Sequence, residues 1–274
     1  MPAMSDLTLA PRLDSAEIPL LADELQRAAI TRIPCAPIAA RLPAGDLEAA
    51  YAVQEIGTNR ALAEGRILSG RKIGITSKAV QKQLGVDQPD YGMLFDDMGV
   101  PDGWEIAPDR LIQPKVEAEI AFVLGADLTS EHITLADVMS AVEYAVVAIE
   151  IVDSRIAEWR IGIVDTIADN ASSGLYVLGN RPRRLDSLDL RMSGMAMFNR
   201  GELVSSGVGA ACLGHPLNAV WWLARTMVRA NRPLHAGDTV LSGALGPMVA
   251  VKFGETYEAH VDGFGSVRAC FAAN

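Results

Sequence analysis

Cysteine is scarce in this chain of 274 residues: Cys35, Cys212 and Cys270 are widely separated and form no C-x-x-C pair. An odd count excludes a complete disulfide framework, and the spacing matches no structural zinc cluster, which together point to a reducing compartment. Basic charge is also in short supply. The formal net charge is -10, and no stripe of Lys and Arg interrupts it. Phosphate neutralisation needs clustered cations, so a nucleic-acid binder is excluded. Long apolar runs are missing too: no stretch approaches the roughly 18–20 residues of a membrane span. The opening MPAMSDLTLAPRLD carries Asp6 and has no continuous apolar segment, so it is not a secretory signal. The expectation is a cytoplasmic protein that spans no membrane.

What is present is a sizeable core. Half the residues are hydrophobic and 21 % are charged, which suits one large globular domain or a domain with a smaller appendage. The acidic balance repels small anions, so any site for an organic acid needs a local cation or a metal.

The first third reads as helical. Ser15 is placed to cap a helix through AEIPLLADELQRAAITR, with Pro19 tolerable near its first turn. Pro34, Pro37 and Pro43 interrupt the chain, and a second helix follows Asp46 and stops at Gly65. These helices suggest a small N-terminal cap over residues 1–68, ahead of a larger unit over 69–274. In that unit RKIGITS reads as a strand, and residues from Gly85 to Gly103 as a loop rich in Gly, Pro and Asp. Val116–Val123 alternates with the period of a strand, and TLADVMSAVEYAV reads as a helix capped by Thr134 that feeds a second acidic strand, VAIEIVD. Short β runs with Gly punctuation fill the C-terminal part, around a helix that opens at Pro216. Many short strands with few crossover helices predict an α+β fold on a closed or rolled sheet.

The acidic strands carry the chemistry. Glu117 and Glu119 are two apart, so on a strand they share a face, and adjacent carboxylates repel unless a positive charge sits between them. A solvated face of an edge strand is the plain alternative. Glu150 sits in the run VVAIEIV, flanked by six apolar residues, where a carboxylate needs a partner, a hydrogen bond or a metal. A buried salt bridge would satisfy it as well. Three carboxylates meeting in one place would make a hard-oxygen site that favours Mg²⁺ or Mn²⁺ over zinc. Such an ion keeps positions for a chelating 2-oxo or 2-hydroxy acid and for water. The four histidines have no H-x-x-x-H spacing, which argues against a zinc peptidase.

Lys72 is the cation expected beside such a site, where it could polarise a carbonyl or move a proton; otherwise it is an exposed strand lysine. Asp90 in VDQPDYG has turn chemistry around it and could simply hold its loop. In DTIADNASSG, Ser172 and Ser173 could hydrogen-bond a substrate carboxylate or belong to a capped turn, with Asp169 and Asn170 shaping it. Asp153 and Arg155 could pair with each other. GVGAACLG is not G-x-G-x-x-G and is followed by no acidic strand end, which excludes a dinucleotide site.

The strings KIGITS, LGVDQPDYG, PKVEAEIAFVLG, AIEIVDSRI, DTIADNASSG, CLGHPLNAVWWLA and AGDTVLSGALGPM occur in order from Lys72 to the C-terminus. Together they resemble the fumarylacetoacetate hydrolase superfamily, and within it the hydratases of bacterial meta-cleavage pathways that act on 2-hydroxypenta-2,4-dienoate (2-keto-4-pentenoate). The resemblance implies a β-roll C-terminal domain behind a helical cap. It puts a divalent metal on Glu117, Glu119 and Glu150, the family lysine on Lys72 and the loop aspartate on Asp90. It also puts Ser172 and Ser173 at substrate-facing positions. A homo-oligomer, pentamer or decamer, and association with a decarboxylase are implied as well. The competing expectations are a 2-oxo-3-hexenedioate (4-oxalocrotonate) decarboxylase, whose substrate has a second carboxylate, and a metal-binding partner subunit of such an enzyme. An acylpyruvate hydrolase is disfavoured because no His–Glu pair is evident.

Overall fold

The computed structural model describes residues 17–273. Two helices come first, α1 (Glu17–Thr31) and α2 (Leu47–Ala63). Asp46 caps α2 by accepting the Ala49 N–H at 3.0 Å, and Gly65, at φ +91°, takes the left-handed step that ends it. Pro19 lies in the first turn of α1, where the missing N–H costs nothing; the Ser15 cap lies outside the described residues.

The chain then forms β1 (Leu68–Gly74), a short α3 (Lys78–Leu84), β2 (Asp90–Phe95), β3 (Gly99–Pro101), β4 (Glu105–Ile106) and β5 (Lys115–Leu124). Next are α4 (Leu135–Ala141), β6 (Val142–Val152), α5 (Ile163–Ala168) and β7 (Ser173–Leu178). The remainder is β8 (Gly194–Asn199), β9 (Glu202–Val208), α6 (Pro216–Arg229), β10 (Thr239–Leu241), β11 (Val249–Ala250), β12 (Thr256–Val261) and β13 (Gly265–Phe271).

Two sheets carry the α+β fold. One has eight strands, in the order β2-β1-β10-β5-β6-β7-β3 with β11 also on β5; the other has five, in the order β4-β13-β12-β8-β9. Both are mixed, since β1–β10, β3–β7 and β13–β4 are parallel and the rest antiparallel. The main core lies on β5 and β6, where Val116, Ile120, Phe122, Ile149 and Ile151 are fully buried. A second apolar cluster joins Leu21, Leu25, Ala50 and Val53 of α1 and α2 to Ile156, Val164 and Ile167. Among the described residues no helix is long and apolar enough to cross a membrane.

Two expectations fail locally. The helix capped by Thr134 stops at Ala141, and VEYAV belongs to β6. The cap itself is as expected, with Thr134 Oγ1 accepting from Asp137 N and Asp137 returning to Thr134 N. Tertiary pairing decides the rest: residues from Val142 onward lie against β5 down to Lys115, and a β-branched run suits that ladder better than a helix. The loop expected from Gly85 to Gly103 likewise contains β2 and β3. YGMLF is apolar enough to pair antiparallel with β1 despite the Gly, Pro and Asp around it.

Candidate active site: a carboxylate cluster beside a buried lysine

Register gathers the site. Lys72 on β1 faces Leu241 of β10, Leu241 faces Ala121 of β5, and Glu117 of β5 faces Glu150 of β6. Side chains alternate along a strand, so Lys72, Glu117, Glu119 and Glu150 share one face of the eight-stranded sheet. Asp90 joins them, because it faces Gly74, two residues beyond Lys72. The plain alternatives of a solvated edge strand and an exposed lysine therefore fail: β5 is central, and Lys72 is 3 % exposed.

One carboxylate oxygen from each of Glu117, Glu119 and Glu150 lies within 4.8 Å of the others. Glu119 and Glu150 are buried, while Glu117 is partly exposed and marks the open side. Lys72 Nζ is 2.9 Å from Glu150 Oε1. Glu119 Oε2 accepts the Gly243 N–H at 2.8 Å. Glu119 Oε1, Glu150 Oε2 and both Asp90 oxygens are buried with no well-aligned hydrogen-bond partner. Such a set is costly as it stands.

The electrostatics say the same. Burial, then repulsion from Glu150, pushes the Glu117 carboxyl up to about 7, and burial with Glu150 and Glu117 nearby holds Glu119 well above the carboxylate range. Burial pushes Asp90 up to about 6, with Lys72 opposing and Glu150 adding to the rise. Burial alone would lower Lys72, but Glu150, Asp90 and Glu117 outweigh it and keep the ammonium charged. Four acids thus surround one lysine. A hard divalent cation fits the deficit: it takes oxygen donors, supplies two charges, and uses the lone pairs that have no partner.

A second wall comes from the segment after α5. Arg155 donates from Nε to Asp169 Oδ1 at 2.5 Å and from Nη1 to the carbonyls of Asp153 and Ser173. Asp153 is instead held by the Ile112 and Gln113 N–H groups, so the expected Asp153–Arg155 ion pair is replaced by Arg155–Asp169. The physical reason is that Asp169 is fully inside and needs the charge, whereas backbone donors already satisfy Asp153.

Asn170, Ala171 and Ser172 follow at φ +53°, +50° and +53°. Three consecutive non-glycine residues in this region are strained and must be held by their surroundings. The Asn170 side chain does so by bracketing Met93, accepting from its N–H at 2.7 Å and donating to its carbonyl at 3.0 Å. Gly92 permits the approach, since a Cβ there would collide with Asn170 O and sit 2.7 Å from Ser173 Oγ. The turn leaves Ser172 Oγ buried without a partner, whereas Ser173 Oγ donates to Asn170 O at 2.7 Å. Only the first hydroxyl of the pair is left free for a ligand.

Gln54 of α2 was not among the expected site residues. Its Nε2 donates to Tyr91 O and Ile167 O, which ties α2 to the strand of Asp90 and to the helix before the serine turn. Its one trace in the sequence was a long polar side chain next to Val53, on the side of α2 that also carries Ala49, Ala50 and Ala61. A cavity of 520 Å³ between α1, α2 and the end of β2 is lined by neither Lys72 nor the three clustered glutamates; it meets the site region through Gln54, Asp153, Arg155, Asp169, Asn170 and Ser173.

Residues 77–272 match the model of the fumarylacetoacetate hydrolase C-terminal domain. The chain belongs to the fumarylacetoacetate hydrolase family. Lys72 lies just upstream of the matched segment and is tied to it by its ion pair with Glu150. Within the family, the chain is 63 % identical over 237 residues to 2-keto-4-pentenoate hydratase 1 of Dechloromonas aromatica, covering 86 % of this chain and 90 % of that one. It is 62 % identical over 251 residues to the TodF product hydratase of Pseudomonas putida, covering 92 % and 94 %. Among solved structures, 4-oxalocrotonate decarboxylase from Pseudomonas putida G7, complexed with magnesium and adipate, superposes with a TM-score of 0.90 at 35 % identity, covering 96 % of this chain and all of that one. A magnesium ion in that family member agrees with the donor set found here.

Proposed function

We propose that this chain is a divalent-metal-dependent hydratase that converts 2-hydroxypenta-2,4-dienoate and water into 4-hydroxy-2-oxopentanoate in the meta-cleavage breakdown of aromatic compounds. The observation that carries the reading is the cluster of Glu117, Glu119 and Glu150, with Lys72 Nζ 2.9 Å from Glu150 Oε1, in a chain more than 60 % identical to hydratases. Glu117, Glu119 and Glu150 would hold Mg²⁺ or Mn²⁺. When bound, the ion would supply positive charge for the substrate carboxylate and 2-oxygen.

The chain's own groups divide the remaining work. Lys72, kept charged by its three acidic neighbours, donates a hydrogen bond to the 2-oxygen and stabilises negative charge there. Asp90, buried and free of aligned donors, accepts the proton of the 2-hydroxyl. Protonation at C5 then gives a 2-oxo-3-enoate. Water adds to C4 and a proton to C3, so the sum is one water gained. Ser172 Oγ is the free hydroxyl for the carboxylate; Ser173 supports the turn. In the same reading residues 1–68 are a helical cap on a β-roll, the enzyme is a cytoplasmic homo-oligomer, pentamer or decamer, and it associates with a decarboxylase.

A second reading has one observation behind it: the close superposition on a decarboxylase. The test separates the two. Freshly generated 2-hydroxypenta-2,4-dienoate is followed by loss of its ultraviolet absorbance, with product identification, in Mg²⁺, Mn²⁺ or chelator. Metal-dependent formation of 4-hydroxy-2-oxopentanoate is expected. No turnover there, with carbon dioxide released from 2-oxo-3-hexenedioate, would make the chain a decarboxylase; no reaction with either would favour a partner subunit.

A further inference from the structure

A second lysine stands on the same face as the glutamates. Lys115 precedes Glu117 by two residues on β5, so its side chain leaves the sheet on the site's side, about 7 Å further along the strand. Burial lowers its pKa, and Glu117 is the acid that opposes this. Among the described residues it forms no ion pair. Its ammonium lies instead over the Trp159 ring, 4.1 Å from the centroid.

Trp159 is held for this contact. Its Nε1 donates to Gln113 O at 2.9 Å, and Gln113 is fixed in turn by Asp153. Glu158 and Trp159 sit at φ +58° and +54°, a bend that non-glycine residues adopt only where their surroundings impose it. Exposure rises in the same direction: Asp90, Glu119, Glu150 and Lys72 are buried, whereas Glu117, Lys115 and Trp159 are partly exposed. The cluster therefore opens toward Lys115.

We infer that Lys115, braced by Trp159, is a substrate-binding residue at the mouth of the site that receives the carboxylate of the incoming acid. The inference rests on the hydratase reading. It answers a problem that the charges pose, since an anion must approach a chain of net charge -10 and a pocket lined by acids. A lysine spent on no carboxylate and held at the open side by an aromatic ring gives that anion a partner without blocking Glu117.

The test uses the Mg²⁺-loaded protein and 2-oxopentanoate, which has the carboxylate and 2-oxygen but no alkene to hydrate. Calorimetry should show Lys115→Gln binding it about tenfold more weakly, with Mg²⁺ affinity kept within about twofold. In dienoate turnover the loss should fall on KM rather than kcat, and the fall of kcat/KM with added salt should flatten. Lys115→Arg should restore most of the binding, and Trp159→Phe should retain more of it than Trp159→Leu. Unchanged 2-oxopentanoate affinity and an unchanged salt slope in Lys115→Gln would overturn the inference. So would a loss confined to Mg²⁺ affinity. If the parent binds 2-oxopentanoate through Lys115 yet hydrates no dienoate, the hydratase reading falls while the role of Lys115 stands.

Discussion

Strands β5 and β6 have two faces that obey opposite rules. One presents Val116, Ala118, Ile120, Phe122, Ile149 and Ile151, each no more than 1 % exposed. The other, on the same ten-residue ladder, presents Glu117, Glu119 and Glu150, and buried oxygens of Glu119 and Glu150 lack aligned partners. The apolar face gains stability by leaving water; the acidic face loses it by the same burial. Stability and chemistry are thus separated by the thickness of one sheet, and each strand holds its acids in place with the side chains that point the other way. The lesson is that a site this costly needs the firmest part of the core directly behind it.

The sharpest way to break that comparison is to exchange effects between the faces. Glu119→Gln or Glu150→Gln should lower metal-dependent turnover by about a thousandfold or more, since the ion loses a donor and the charge balance changes. Unfolding in chelator should show no comparable loss of stability from Glu119→Gln, because a buried acid without its cation is a burden. On the other face, Phe122→Ala should cost about 3–5 kcal/mol in denaturant unfolding, while Mg²⁺ affinity of the folded fraction stays near that of the parent. If Phe122→Ala abolished metal binding without destabilising, or Glu119→Gln unfolded the protein, the two faces would not be independent.

Much of this division was legible in the sequence. The two-residue spacing of Glu117 and Glu119, and one carboxylate inside VVAIEIV, predict a shared face and a buried acid from periodicity alone. Lys72 was expected as the cation beside the acids, with an exposed strand lysine as the alternative, and Asp90 gained a site role only by resemblance; what joins them to the glutamates is register through β10 and β2, which no local pattern encodes. The end of α4 at Ala141 was hidden because VEYAV satisfies a helical pattern until β5 is beside it. Arg155 was assigned to the acid nearest in sequence, but it pairs with Asp169 across the turn because Asp153 already has backbone donors. The engagement of Ser173 by Asn170 O depends on three successive left-handed residues, a conformation with no glycine to announce it.

Smaller effects sharpen the same contrast. Asn170→Ala removes both hydrogen bonds to Met93 and should destabilise by about 1–3 kcal/mol; kcat should fall as Ser172 is released, which steady-state kinetics on the folded enzyme would read.

A finer mark lies in the pH dependence of Asp90. Its carboxyl is raised from 3.8 to about 6 by burial, so the folded state binds a proton that the unfolded chain has lost. Its contribution is therefore fully present below 3.8 and disappears as pH rises through 6. Asp90→Asn has no such loss. In chelator, its stability relative to the parent should increase between pH 4 and 7, and a difference that stays flat across that range would place Asp90 outside the buried charge network.

The central claim is that the acidic face is a metal centre whose occupation relieves buried charge and switches on hydration together. Titrating Mg²⁺ into the parent and into Glu119→Gln, while following thermal unfolding and dienoate turnover in the same samples, tests it directly. The account predicts that the parent's Tm and turnover rise over the same metal concentrations, and that Glu119→Gln shows neither response. Hydration that persists in Glu119→Gln, or turnover in the parent with no metal-dependent change in Tm, would contradict it.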